Sequence, residues 1–112
     1  MKYRHQFYAN NNSPNATYKF QLPTAATAAK TRVTLSQVTV STNSETPIKV
    51  MVHDIWTSTG FQHFVTGQLD WHGSKQLGWD PDNEPSGKDF AIEVENLPFG
   101  KHCFVEVEYS KE

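Results

Sequence analysis

Phe90-Ala91-Ile92-Glu93-Val94-Glu95-Asn96-Leu97-Pro98-Phe99-Gly100-Lys101-His102-Cys103-Phe104-Val105-Glu106-Val107-Glu108-Tyr109 is the most regular stretch of the chain. Phe90, Ile92 and Val94 alternate with Glu93 and Glu95. Cys103, Val105, Val107 and Tyr109 alternate with Glu106 and Glu108. Successive side chains of a strand point to opposite faces, so this two-residue period predicts two strands, each with one buried and one wet face. That pattern suits antiparallel sheets with a solvated side. The six residues 96–101 form the turn between them.

Ala91 to Val107 resembles the closing strands of fibronectin type III and prealbumin-like sandwiches. Those often carry a Leu-Pro-x-Gly corner before an alternating strand, here Leu97-Pro98-Phe99-Gly100. Such families usually place Tyr where this chain has His102 or Phe104. The resemblance implies a fold class and no activity, because sandwiches host many functions.

Working outward, the same alternation recurs. Tyr3, His5 and Phe7 share a face, as do Tyr18 and Phe20. The turn-rich Asn10-Asn11-Asn12-Ser13-Pro14-Asn15 between them predicts a hairpin with a long connection. Asn11-Asn12-Ser13 and Asn15-Ala16-Thr17 match the glycosylation acceptor pattern, but they are read here as a polar turn. Residues 24–30 are alanine-rich yet too few to sustain a helix, so a loop or single turn is expected. Val33 and Leu35 alternate in one phase and Val38 and Val40 in the other. The slip at Ser36-Gln37 predicts a β-bulge. Ile48, Val50 and Val52 form one face of a further strand and Lys49, Met51 and His53 the other. The turn Thr57-Ser58-Thr59-Gly60 leads into a strand over 61–69. The expectation is a single domain, residues 1–112: an all-β antiparallel β-sandwich of immunoglobulin or prealbumin-like type, with about seven strands.

Composition narrows the function classes. Ten basic residues against twelve acidic give a net charge of −2, which argues against a nucleic-acid binder, since those carry a basic surplus. The single cysteine, Cys103, excludes an intrachain disulfide and sits in a strand pattern as a small buried hydrophobe. The first residues lack the apolar core of a secretory signal, and no run reaches the length of a membrane-spanning helix. Cytoplasmic residence is therefore the default expectation, with no membrane span.

One segment breaks the strand rhythm. Residues 70–89 read as a long loop holding Trp71 and Trp79. Loops of that length in small domains are usually functional or disordered, and disordered segments are poor in aromatics. The expectation is a recognition loop in which Trp71 and Trp79 provide aromatic surface, with Asp70, His72, Asp80, Asp82 and Asn83 as polar partners. Tryptophan is a frequent anchor at protein interfaces, and its ring also stacks on sugars.

The remaining candidates are weaker. Asp80, Asp82, Asn83 and Glu84 offer oxygens of the kind calcium takes. The EF-hand spacing fails because Pro85 stands where its glycine belongs, so no cofactor is expected and calcium is kept as an alternative. If the strands around Ser58-Thr59 form a hairpin centred there, His63 falls opposite Asp54, beside His53, as a carboxylate–imidazole pair fit for a metal or a base. There is no nucleophile elbow and no phosphate-binding glycine loop.

The sequence thus points to a non-catalytic binding or assembly module that uses its Trp segment for protein–protein or self-association contacts. Homo-oligomers are expected, because a sandwich has open edges to cover. The alternatives are a lectin-like carbohydrate-binding module and a small metal-dependent protein built on His53, Asp54 and His63.

Overall fold

The computed structural model describes residues 2–12, 16–21, 33–54, 60–77 and 90–111, and these contain eight strands. They are β1 (Lys2–Asn10), β2 (Ala16–Gln21), β3 (Val33–Thr42), β4 (Ile48–Asp54), β5 (Gly60–Val65), β6 (Gln68–Gln76), β7 (Phe90–Leu97) and β8 (His102–Lys111). They build two four-stranded antiparallel sheets with orders β1-β8-β3-β6 and β2-β7-β4-β5. The described residues hold no helix. The alanine-rich 24–30 segment lies outside them.

The pairing is nested. β4 pairs β5, β3 pairs β6, β2 pairs β7 and β1 pairs β8. The chain is one long double strand rolled over so that β8 also meets β3 and β7 also meets β4. This is the eight-stranded, double Greek-key order of a jelly roll. It differs from the immunoglobulin arrangement of seven strands, in which the first two strands lie side by side in one sheet. Of the consecutive strands here, only β4 and β5 share a sheet as neighbours. Every other described connection passes between the sheets.

That crossing corrects the expected hairpin of the first two strands. β1 and β2 lie in different sheets, and Asn11 shows why. Its N–H donates to the Lys101 carbonyl at 3.0 Å, and its own carbonyl accepts from Gly100 N–H at 2.9 Å. Its side-chain amide donates to the Leu97 carbonyl. The end of β1 is thus tied to the β7–β8 corner and not turned back on itself. Asn11 is fully buried, so its acceptor pattern for glycosylation has no accessible nitrogen in the folded chain.

The inner faces form one core. Val38, Val40, Val105 and Val107 come from one sheet; Val50, Val52, Ile92 and Val94 come from the other. All of them are at most 1% exposed within a single cluster. Each such side chain contributes about 1.5–3 kcal/mol relative to full exposure. The Leu97-Pro98-Phe99-Gly100 corner turns where expected, with Lys101 N–H donating to the Pro98 carbonyl at 3.1 Å and Gly100 at φ 78°. The slip at Ser36-Gln37 is a bulge: both ladders of β3 shift register between Leu35 and Gln37.

The strand expected over 61–69 is cut at Thr66-Gly67, where Gly67 takes φ 72°. Its second part becomes the start of β6. β6 is the strand missing from the expected seven, and it runs on through Gln76 into the segment read as a loop. The 70–89 loop is therefore corrected at its near end. Residues 70–76 pair with β3, and Leu77 is buried with its N–H bonded to the Val33 carbonyl at 2.9 Å. Residues 78–89 lie outside the described residues.

Candidate functional site

β5 and β6 are the edge strands on one side of the sandwich, one from each sheet. Along β6 the period of two points Leu69 and Trp71 inward, opposite Val40 and Val38. Asp70 and His72 point outward, opposite Thr39 and Gln37. The Trp71 ring lies 5.1 Å from that of Phe61 on β5, tilted by 59°. Phe61 is 5% exposed, and His63, two residues on, stacks against it at 4.7 Å. An aromatic row, His63–Phe61–Trp71, therefore spans the gap between the two sheets.

A glycine makes room for the row. A Cβ built on Gly73 would sit 2.7 Å from Trp71 Cζ2, so the indole lies over a position with no side chain. β6 also carries one residue more than β3 in this stretch, Gly73-Ser74 facing Ser36 alone. Phe64, on the other face of β5, is 63% exposed.

The polar groups named with Trp71 do not converge on it. His72 Nε2 lies 3.0 Å from Asp70 Oδ1, with both side chains 65% exposed. An ion pair in that setting contributes little to stability, and it stands on the face of β6 opposite the indole. Trp79, Asp80, Asp82 and Asn83 lie outside the described residues. Of the predicted site, the structure thus places Trp71 and His72 on one strand and on opposite faces of it.

The expected group of His53, Asp54 and His63 is corrected by the register. β4 and β5 do form a hairpin, but it centres earlier than Ser58-Thr59, so His63 pairs with Val50 and His53 with Gly60. Neighbouring partners in a ladder share a face, so His63 points with Val50 and His53 points the other way. The β4 neighbour Asp54 pairs with Phe90. His53 instead meets a residue not foreseen: its Nε2 lies 2.9 Å from Glu93 Oε2 on β7, with the two side chains 11% and 18% exposed. The sequence signal for that pair was faint, since Glu93 reads as an ordinary outward residue. Among the described residues, no group of three or more His, Cys, Asp or Glu side chains is placed to hold a metal ion.

Gly60 fixes the start of β5. It takes φ 150°, and a Cβ there would meet the Val52 carbonyl at 2.3 Å and Leu77 Cδ2 at 3.0 Å. Cys103 is fully buried. Burial pushes its thiol up to about 11, against a hydrogen bond with the Ala9 backbone that acts in the other direction. A thiol held protonated in this way is a poor nucleophile.

No family model and no curated protein matches the chain. Among solved structures, those of infectious bursal disease virus, Gt strain and Gx strain, each align over 99% of this chain at 9% identity, with a TM-score of 0.26. The chain spans 40% and 41% of the length of those two chains. A likeness at that score carries no argument about fold or function.

Proposed function

We propose that the chain is a non-catalytic binding module that meets a protein partner through the β5/β6 side of its sandwich. The observation that carries the reading is the aromatic row His63–Phe61–Trp71 between the sheets, with Phe64 exposed on the outer face of the same edge strand, β5. Aromatic groups with one face packed and another reachable give large contact area at low entropic cost, and Trp is prominent among interface anchors. The buried thiol and the dispersed histidines support a role without covalent chemistry.

The lectin-like reading has less support. A sugar needs hydroxyl partners beside the stacking ring, and Asp70 and His72 stand across the strand from Trp71. The metal-dependent reading loses its donor set with the register of β4 and β5.

The test places a photo-crosslinking side chain at His63, and in a second protein at Thr17 on the opposite side. Both proteins are then exposed to an extract of the source cells. The expected result is a defined protein adduct at 63, absent at 17 and lost when Phe64→Ser or Trp71→Ala is added, with unchanged strand signal in circular dichroism. Equal labelling at both positions, or an adduct indifferent to both substitutions, overturns the reading.

A further inference from the structure

Among the described strands four lie at sheet edges, and three of these are blunted. β2 has a register shift between Ala16 and Tyr18. β5 has six residues and begins at a glycine. β6 carries the extra residue at Gly73-Ser74. Shortness and bulges are two of the devices by which edges avoid adding another strand, and charged side chains are a third; the charges of β1, Lys2 and Arg4, are already held beside Glu108 of β8. β1 is neither short nor bulged: all nine residues, Lys2 to Asn10, pair with β8 in one unbroken register, and no described strand lies on its far side.

We propose that the partner of this edge is a second copy of the chain, paired β1 to β1 antiparallel about a two-fold axis centred on Gln6. This goes beyond the binding reading above and uses the opposite side of the molecule. Only one antiparallel register lets all nine residues of β1 face all nine of the copy. In it, Lys2 faces Asn10, Arg4 faces Tyr8 and Gln6 faces itself on the outer face. Tyr3 faces Ala9 and His5 faces Phe7 on the inner face. No like charges meet. The Arg4 side chain, 59% exposed, comes beside the ring of Tyr8, also 59% exposed, and an Arg beside an aromatic ring is an attractive pair. The symmetry makes that contact twice, as an isologous interface requires.

The product is a continuous eight-stranded sheet, β6-β3-β8-β1 followed by its mirror order. Strands lie about 4.8 Å apart, so the two Trp71 sides come to lie at the two far ends. A dimer of this kind presents two binding sides facing away from each other, which raises avidity for a partner that repeats.

Tyr8 allows a test of opposite signs at one exposed position. Tyr8→Lys sets Lys against Arg4 twice per dimer, and Tyr8→Glu sets Glu against Arg4 twice. Cross-strand pairs of like and opposite charge differ enough for the two dimer dissociation constants to separate by roughly tenfold or more. Sedimentation velocity over a concentration series is the measurement. The expected result is a wild-type dimer that is weakened by Tyr8→Lys, kept or tightened by Tyr8→Glu, and unaffected by Trp71→Ala. A wild-type monomer throughout overturns the proposal. So do equal effects of the two Tyr8 variants, or a dimer lost only in Trp71→Ala, which would assign self-association to the β5/β6 side. Circular dichroism of each variant confirms the fold, and adduct formation at 63 is scored separately, so failure here leaves the binding reading standing.

Discussion

The two sides of the sandwich where edge strands of different sheets come together are closed by different means. On the β1/β2 side, His5 and Phe7 both lie against Phe20, with ring centroids 4.6 and 5.7 Å apart. Polar groups lock them in place. Tyr18 hydroxyl donates to the Asn10 carbonyl at 2.9 Å, and the buried Asn11 holds the neighbouring corner by backbone and side chain together. On the β5/β6 side, Phe61 and Trp71 meet over a glycine, and His63 remains exposed at the rim. A closure that rests on a directed bond to a buried carbonyl, that from Asn11 to Leu97, resists opening, because breaking it leaves an unpaired group in the interior. A closure made of ring contact costs less to rearrange. One side is therefore built to hold the fold, and the other is suited to meet a ligand.

The largest effect should fall on the first side. Asn11→Leu keeps the branched outline of the side chain and the backbone bonds but leaves the Leu97 carbonyl buried without the amide it now accepts from. An orphaned buried acceptor costs about 2 kcal/mol, which in a domain of this size lowers the midpoint of thermal unfolding by about 10 °C. Calorimetry of the variant checks it. A midpoint equal to wild type would show that the Asn11 amide adds nothing to the closure and would erase the contrast between the two sides.

A smaller effect should fall on the second side, with a different signature. Gly73→Ala puts a methyl group where the indole now lies. The obstructing atoms belong to a half-buried ring at an edge, which can move outward. The cost should stay at the low end for overpacking, about 1 kcal/mol. The Trp71 emission should shift to the red as the ring enters water, while the unfolding midpoint changes less than in Asn11→Leu. If Gly73→Ala proves the more destabilising of the two, the β5/β6 side is structural and the binding reading loses its basis.

How much of this was legible in the sequence follows from what a period of two conveys. It reports which face of a strand is buried, so β3, β4, β7 and β8 could be read from Val, Ile and Leu spacing, and the bulge at Ser36-Gln37 appeared as a phase slip. It does not report which strand lies alongside. Tyr3-to-Phe7 and Tyr18-to-Phe20 alternate as two strands of one hairpin would, yet they belong to different sheets, because Asn11 bonds to a corner nearly ninety residues away in sequence. β6 escaped notice for a related reason. Asp70, His72, Ser74, Lys75 and Gln76 are all exposed on an edge strand, and Gly73-Ser74 breaks the alternation, so a paired strand looks like polar loop. For the site, Trp71 stood out by residue type alone. Its contact with Phe61 depends on how the edge strands β5 and β6 face each other, and the His53–Glu93 pair depends on the register of β4 with β7; a one-residue slip of register turns such side chains to the other face.

The smallest expected effect concerns the outer surface of the firmly closed side and tests whether its charges take part in that closure. On the outer face of β1 and β8, Arg4 Nη2 donates to Glu108 Oε2 at 2.9 Å, and Lys2 Nζ lies 3.3 Å from Glu108 Oε1. The hydrogen bond from Arg4, followed by that from Lys2, holds the Glu108 carboxyl below its ordinary value of 4.5, against a smaller opposing effect of burial. A carboxyl whose folded pKa is depressed contributes stability above its unfolded value, and that contribution is lost as pH falls through the folded value. Arg4→Gln should therefore lower the urea midpoint slightly at neutral pH. The gap from wild type should close at pH values well below 4.5, where Glu108 is protonated in both proteins. Added salt should narrow the gap at neutral pH as well, because the pair is open to solvent. A gap that persists unchanged in acid would mean that Arg4 acts through the packing of its aliphatic stem. The β1 surface would then belong with Asn11 to the structural side of the comparison, as packing and not as charge.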